Sequence, residues 1–254
     1  MLAQERYNFI LEILQNKTTV RVSHLMHALN VSGETIRRDL EYLEKEGHLT
    51  RVYGGASTVK FDTNQGSFQA RASKNIGQKE EIAKLALKYV SEGQSISLDY
   101  STTSLAFAHE LKNHFKSLTI VTNSSEILNE ISDVNTFNII FCGGLFNHSE
   151  LSFFGEQAKA VINGLNIDTA FIGVGGISLR EGCTETFYEG AEMLRNFINA
   201  AQRKIVLVDS SKFDKVTLIK VCDLSDIDMI ITDSSIKKNV LDKYRNHDIE
   251  VINE

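Results

Sequence analysis

The sequence predicts an α/β protein built from an N-terminal winged helix-turn-helix and a larger C-terminal α/β domain. Three observations carry that expectation. Apolar residues recur at helical spacing three times before residue 45, and a glycine-pair hairpin signal follows them. From Glu80 onward, short apolar runs of strand length alternate with helical stretches, the grammar of a buried parallel sheet covered by helices. Between the two lies a polar stretch rich in Asn, Gln, Ser and Gly. The expected boundaries are therefore 1–58 for the first domain, 59–77 for a linker and 78–254 for the second domain.

The first helix is read from Tyr7, Ile10, Leu11 and Leu14, which form one apolar stripe, and it ends at Asn16-Lys17. A shorter pattern of Val22, Leu25, Met26 and Leu29 is broken by Asn30. Ser32 then caps a third helix whose inner face is Ile36, Leu40 and Leu43 and which stops at Gly47. Residues 48–59 hold two extended runs around Gly54-Gly55, a hairpin. In the second domain, helices are expected at 82–90 and 105–111. Strands are expected at 95–98, 118–121, 139–142, 170–174, 205–208 and 229–231.

Composition bounds the class. At 254 residues, with 42% hydrophobic and 24% charged, the chain is globular, and no run of about 18 apolar residues could span a bilayer. The N-terminus lacks a signal-peptide pattern. Cys142, Cys183 and Cys222 are widely spaced without a CxxC pair, so they read as reduced thiols packed in a core, not as a disulfide framework or a zinc site. No metal and no cofactor are expected, and the location is cytoplasmic with no membrane partner. The net charge of −6 weighs against a nucleic-acid binder only if taken whole. Residues 1–60 hold eight Lys/Arg and seven Asp/Glu, net +1, so the acidity lies elsewhere. The chain has no proline, against about 5% on average.

The sharpest signal is a helix, a tight turn at Asn30-Val31-Ser32 and a second helix, the spacing of a helix-turn-helix. The second helix of such a unit enters the major groove N-terminus first, which puts Ser32, Glu34, Thr35, Arg37 and Arg38 at the DNA. Arginine can fork onto guanine or clamp a phosphate, and threonine can touch a thymine methyl. Arg51, Tyr53, Gly54 and Gly55 extend this as a wing. The plainer reading makes Arg37 and Arg38 a solvated face paired with Glu34 or Glu41.

The run VSGETIRRDLEYLEKEGHLTRVYGGA resembles the signature of the DeoR family of regulators, in which a valine-serine turn leads into T-I-R-R-D-L and a glycine pair closes the wing. The resemblance implies that double-stranded operator DNA is a partner. Tyr53 stands where the family often has histidine.

In the second domain, loop motifs follow five expected strands. They are Asp99-Tyr100-Ser101-Thr102-Thr103, Thr122-Asn123-Ser124, Cys142-Gly143-Gly144, Gly173-Val174-Gly175-Gly176 and Asp209-Ser210-Ser211-Lys212-Phe213. In an open α/β sheet such loops converge on one crevice. The chemistry suits an anionic polyol: Ser101, Thr102 and Thr103 at a helix start favour phosphate, and Lys212 adds a cation. Asp99, Asn123 and Glu185 offer hydroxyl partners, and Gly143, Gly144 and Gly175 let backbone approach closely.

From SFQAR to DMIITD the chain also resembles the DeoR sensor domain, itself similar in fold to ribose-5-phosphate isomerases and CoA transferases. That implies a sugar-phosphate effector, a homo-oligomer (dimer or tetramer) and a regulator of sugar catabolism, in most cases a repressor. Three positions depart from the family: Ser101 and Asp214, where glycine is usual, and Leu194, where lysine is common. Two rivals stand beside this reading. The domain could be an isomerase using Asp99, Glu185 or Glu189 as base with Lys212, although no acid and base pair is specified. The winged helix could serve protein or RNA contact.

Overall fold

The computed structural model describes residues 3–16, 19–45, 48–52, 55–57, 60–61 and 66–254. Lys17, Gly47, Tyr53 and Gly54, which the sequence reading used for two helix ends and the wing, lie outside the described residues. The chain divides into two compact units, Met1–Phe61 and Asp62–Glu254.

The first unit runs α1 (Ala3–Asn16), β1 (Thr19–Arg21), α2 (Val22–Leu29), α3 (Gly33–Lys45), β2 (Thr50–Val52), β3 (Gly55–Ser57) and β4 (Lys60–Phe61). The expected stripes meet in one core, where Ile10, Leu14, Leu25, Leu29, Ile36, Leu40 and Leu43 are all buried, except that Met26 is exposed. Each such side chain contributes about 1.5–3 kcal/mol of transfer free energy. Asn30 ends α2 in the left-handed conformation (φ 50°) with its N–H on the Met26 carbonyl. Ser32 Oγ then accepts the Thr35 N–H at 3.2 Å and starts α3.

Strand β1 gave no sequence signal, yet it completes a three-stranded sheet in the order β1-β3-β2. Gly55 belongs to that sheet, opposite Arg21 and Val52. A Cβ at Gly55 would come 2.1 Å from the Val20 carbonyl oxygen, so close packing of strands already requires glycine there.

The second unit begins α4 (Phe68–Ala72) and α5 (Ile76–Ala86), inside the stretch expected as linker. That boundary is corrected to 61/62. Phe68 is buried, Ser67 Oγ accepts the Ala70 N–H at 3.4 Å, and the Phe68 N–H bonds the Ser149 carbonyl at 2.9 Å. A polar composition hid this because the contacts that dock the segment, from Phe68 to Ser149 and from Arg71 to Glu150, are to residues far away in sequence.

There follow β5 (Ser95–Leu98), α6 (Thr102–His114), β6 (Thr119–Thr122), α7 (Ser125–Ile131), β7 (Asn138–Phe141), β8 (Leu145–Asn147), β9 (Ser152–Phe154), α8 (Glu156–Asn163) and β10 (Ile167–Ile172). The chain continues through β11 (Gly176–Ser178), β12 (Gly182–Glu185), α9 (Tyr188–Ala200), β13 (Ala201–Leu207), β14 (Lys215–Val216), β15 (Ile219–Cys222), β16 (Met229–Ile231), α10 (Lys238–Arg245) and β17 (Val251–Ile252). Every expected strand of the second domain is present, shifted by at most a few residues.

The main sheet is parallel throughout, in the order β17-β16-β13-β10-β5-β6-β7. Its residues alternate between two apolar layers. Phe171, Ile205, Leu207 and Ile231 pack with α5, α6 and α7, whereas Ala170, Ile172, Val206 and Ile230 pack with α8, α9 and α10. Burial on both faces is why these strands read as continuous apolar runs.

The winding starts at β5, proceeds outward to β7, then returns to β10 on the other side of β5 and proceeds to β17. Strand order therefore reverses between β5 and β10, and the carboxyl ends of those strands open a crevice. Two small antiparallel units escaped the sequence reading: the sheet β11-β12-β15 and the hairpin β8-β9. Among the described residues, no helix is long and apolar enough to cross a membrane.

Candidate functional site

Helix α3 presents two different faces. Inward, Asp39 is buried and receives both Arg6 Nε (2.6 Å) and Arg6 Nη2 (2.7 Å) from α1. This bidentate pair clamps the helix at mid-length. Outward lie Ser32, Glu34, Arg37 and Arg38, all exposed, with Thr35 half-buried beside them.

Arg37 and Arg38 approach Glu34 only at 3.7 and 3.5 Å, with side chains 67% and 78% exposed. Helical ion pairs of this kind are worth about 0.3–0.5 kcal/mol, so Glu34 holds the two arginines only weakly. Arg51 is held more firmly: its backbone N–H and its Nε donate to Glu44 at 2.7 and 2.8 Å. Of the nine residues expected at DNA, the structure places Ser32, Glu34, Thr35, Arg37 and Arg38 on one exposed face. Arg51 is tied back to α3, and Gly55 is accounted for by sheet packing.

The second unit holds a cavity at the switch point. Asp99, Ser101, Thr102, Thr103, Glu185 and Lys212 line it together, as expected. Asn123, Gly143, Gly144 and Gly175 are not among its lining residues. The loops after β6 and β7 instead hold the β8-β9 hairpin. Asn123 Nδ2 donates to the Phe153 carbonyl at 2.8 Å, and a Cβ at Gly144 would strike the Phe154 carbonyl. Of the five motif loops, those after β5, β10 and β13 reach the crevice, and the β8-β9 hairpin adds Glu150 to its wall.

Several wall residues carried no local signal. Arg71 of α4 pairs with Glu150 at 2.5 and 3.1 Å across 79 positions of sequence. Lys79 of α5, also on the wall, donates to the carbonyls of Arg71 (2.5 Å) and Lys74 (2.6 Å). The cationic residues of the polar stretch were the available clue. Tyr100, Gly173 and Asp209 also face the cavity, from loops the sequence did single out.

Burial shapes the electrostatics. It pushes the Asp99 carboxyl up to about 6, against hydrogen bonds from Ser104, the Gly173 N–H and Ser101. Ser101 Oγ donates to Asp99 Oδ1 at 2.9 Å, and Ser104 Oγ donates to the same oxygen. Burial likewise raises Glu185, lowers Lys212 and brings Lys79 down to about 8. Among the described residues, Asp99 Oδ2 and the Tyr100 hydroxyl are buried without a hydrogen-bond partner. Ser101 caps α6, a helix of 13 residues, so the positive end of that helix opens at Thr102 and Thr103. The chemistry assembled is that of a site for a small anion bearing hydroxyls.

Residues 6–61 match the DeoR-like helix-turn-helix domain, and residues 74–234 match the DeoR C terminal sensor domain. The chain belongs to the DeoR family. It is 32% identical over 98% of its length to a putative aga operon transcriptional repressor of Escherichia coli O157:H7, covering 93% of that protein. It is 32% identical to the L-fucose operon activator of Haemophilus influenzae, over 97% of this chain and 98% of that one. Among solved structures, a ribose 5-phosphate isomerase from Methanocaldococcus jannaschii aligns over 55% of both chains with a TM-score of 0.42 and 19% identity.

As a DeoR-family member, the protein is a DNA-binding transcriptional regulator. The three sensor-domain positions that the sequence singled out, Ser101, Leu194 and Asp214, have distinct local accounts. Ser101 is the N-cap of α6 and sits against Gly173. Leu194, on the inner face of α9, is fully buried in the apolar layer and does not line the cavity. Asp214 adopts φ 56°, the left-handed region that favours glycine. Its Oδ1 accepts from Lys243 Nζ at 2.7 Å and from the Tyr244 hydroxyl at 3.1 Å, which offsets the backbone cost.

Proposed function

We propose that this DeoR-family regulator controls carbohydrate genes and that its C-terminal cavity takes a phosphorylated sugar whose binding releases operator DNA. One observation carries the reading. The N-terminal turn of α6 at Thr102 and Thr103 shares a cavity with Lys79 and Lys212 and with buried polar atoms of Asp99 and Tyr100 that have no partner among the described residues. A phosphate dianion matches a helix N-terminus flanked by ammonium groups, and sugar hydroxyls match the carboxylate and phenol. The relatives named for the aga and L-fucose operons support carbohydrate as the theme.

Release requires the ligand to bind one state of the protein more tightly than the operator-bound one. The working unit is a homodimer or tetramer whose heads read repeated half-sites and gain affinity from linkage. Ligand is bound and not turned over. Glu189, one of three carboxylates that an isomerase reading offers, is exposed and absent from the cavity wall.

A panel of sugar phosphates and the matching free sugars, screened by thermal shift, tests the proposal. A phosphate ester at 100 times its Kd adds about 2.7 kcal/mol of stability, and the free sugar adds far less. The same ester then lowers operator affinity in an anisotropy titration. No stabilising ester, or a stabilising ester without effect on DNA, refutes the mechanism; ketose product from an aldose phosphate refutes the non-catalytic reading.

A further inference from the structure

Two of the cysteines meet across the small antiparallel sheet. Cys183 of β12 and Cys222 of β15 are Cα partners in the ladder, at the edge of a register shift between Cys183 and Thr184. Directly opposed residues put their side chains on one face, with Cα atoms about 4.5–5.5 Å apart. That falls within the about 4.4–6.8 Å that disulfide-linked residues span.

The neighbouring backbone is pressed tight. Gly182 has φ 70°, and a Cβ there would come within 3.0 Å of Asp223 Cα and strike the Cys222 carbonyl. The Cys183 thiol is held well above its usual value, first by the Cys222 thiol and then by burial. Both sulfurs are free thiols in this structure. Their exposure differs. Cys183 is fully buried, whereas Cys222 is half-buried and lies on the wall of an open groove with Arg195, Lys204 and Lys220.

We propose that Cys183 and Cys222 form a peroxide-responsive dithiol that closes to a cross-strand disulfide. The Cys222 sulfur, reachable from the groove, attacks one oxygen of hydrogen peroxide as its thiolate. An S–O bond forms, the O–O bond breaks, and the departing hydroxide takes up the thiol proton as water, leaving a sulfenic acid. The Cys183 sulfur then displaces the hydroxyl from Cys222. The S–S bond forms, and the Cys183 proton leaves with that hydroxyl as a second water. Two thiols and one peroxide give one disulfide and two waters. The sulfur pair loses two electrons and the peroxide oxygens gain them.

The crosslink fixes β15 on β12, the strand that ends at the cavity residue Glu185. Cys142 stands apart after β7, fully buried and pushed up to about 12 by burial, and serves as an internal control.

The full-length protein is treated with excess hydrogen peroxide at neutral pH, then denatured in N-ethylmaleimide and analysed by intact mass and peptide mapping. The expected result is loss of two of the three alkylatable thiols, with one linked peptide pair carrying Cys183 and Cys222. Dithiothreitol restores all three thiols. Cys142→Ser retains the link and Cys222→Ser abolishes it. Three alkylated thiols after treatment overturn the proposal, as does Cys222 found only as sulfinic acid or joined to a second molecule. The wild-type map alone decides, so a poorly folding variant does not blunt the test. Thiol counting is also independent of any sugar or operator.

Discussion

Gly173→Ala probes how the cavity floor is built. A Cβ at Gly173 would lie 2.4 Å from both Cβ and Oγ of Ser101, roughly 1 Å inside van der Waals contact. Ser101 cannot retreat freely, because its Oγ accepts the Ser104 N–H at 3.1 Å and donates to Asp99 at 2.9 Å. Overpacking of this kind costs about 1–3 kcal/mol. Ser101→Gly alone loses the cap, a few tenths of a kcal/mol, and a hydrogen bond to a carboxylate, about 1.5–3 kcal/mol. The double variant has nothing left to collide, so it costs little more than Ser101→Gly. A coupling of about 1–3 kcal/mol should follow. Urea unfolding of the full chain, with hydrogen exchange of the peptide covering Thr102–His114, measures it. A double variant that falls at the sum of the two singles refutes the claim that Gly173 is glycine because of Ser101.

Arg38→Ala should weaken operator binding by about 1–3 kcal/mol and affect a scrambled duplex less, as read by anisotropy at matched salt; equal losses on both make Arg38 a phosphate contact. Asp99 sits near 6 in the folded protein against about 3.9 unfolded, so the folded state binds more protons between those values and stability falls as pH rises from about 4 to 6. Asp99→Asn should flatten that part of a stability–pH profile obtained from urea midpoints. Asp214→Gly should be more stable than Asp214→Ala by about 1 kcal/mol, because both lose the bonds from Lys243 and Tyr244 but only glycine relieves the left-handed backbone. Thermal midpoints of the two variants rank them.

Features held by local rules were legible from sequence. The Asn30 break, the Ser32 cap and the inner face of α3 follow from helix periodicity and capping, and strands such as Ser95–Leu98 show as apolar runs because both sheet faces are buried. What depended on distant partners was not legible. Strand β1 and sheet β11-β12-β15 have strands of three or four residues, too short to show a period, and are held by pairing across the chain. Five loop motifs were expected to converge and three do. Which three depends on strand order: β5, β10 and β13 are neighbours, and no local pattern encodes that adjacency. Arg71 was hidden for the same reason, since Glu150 gives it a place only once the chain has folded.

The clamp between Arg6 and Asp39 has a consequence for how such a reader diverges. The helix is secured on its buried side by that pair and by Ile36, Leu40 and Leu43, while Glu34, Arg37 and Arg38 contribute little to its hold. Substitutions on the outer face are therefore close to free in folding terms. On the expectation that this face meets the operator, successive changes there retune which bases are preferred while the scaffold stays intact, so operator preference is open to drift and to deliberate reprogramming.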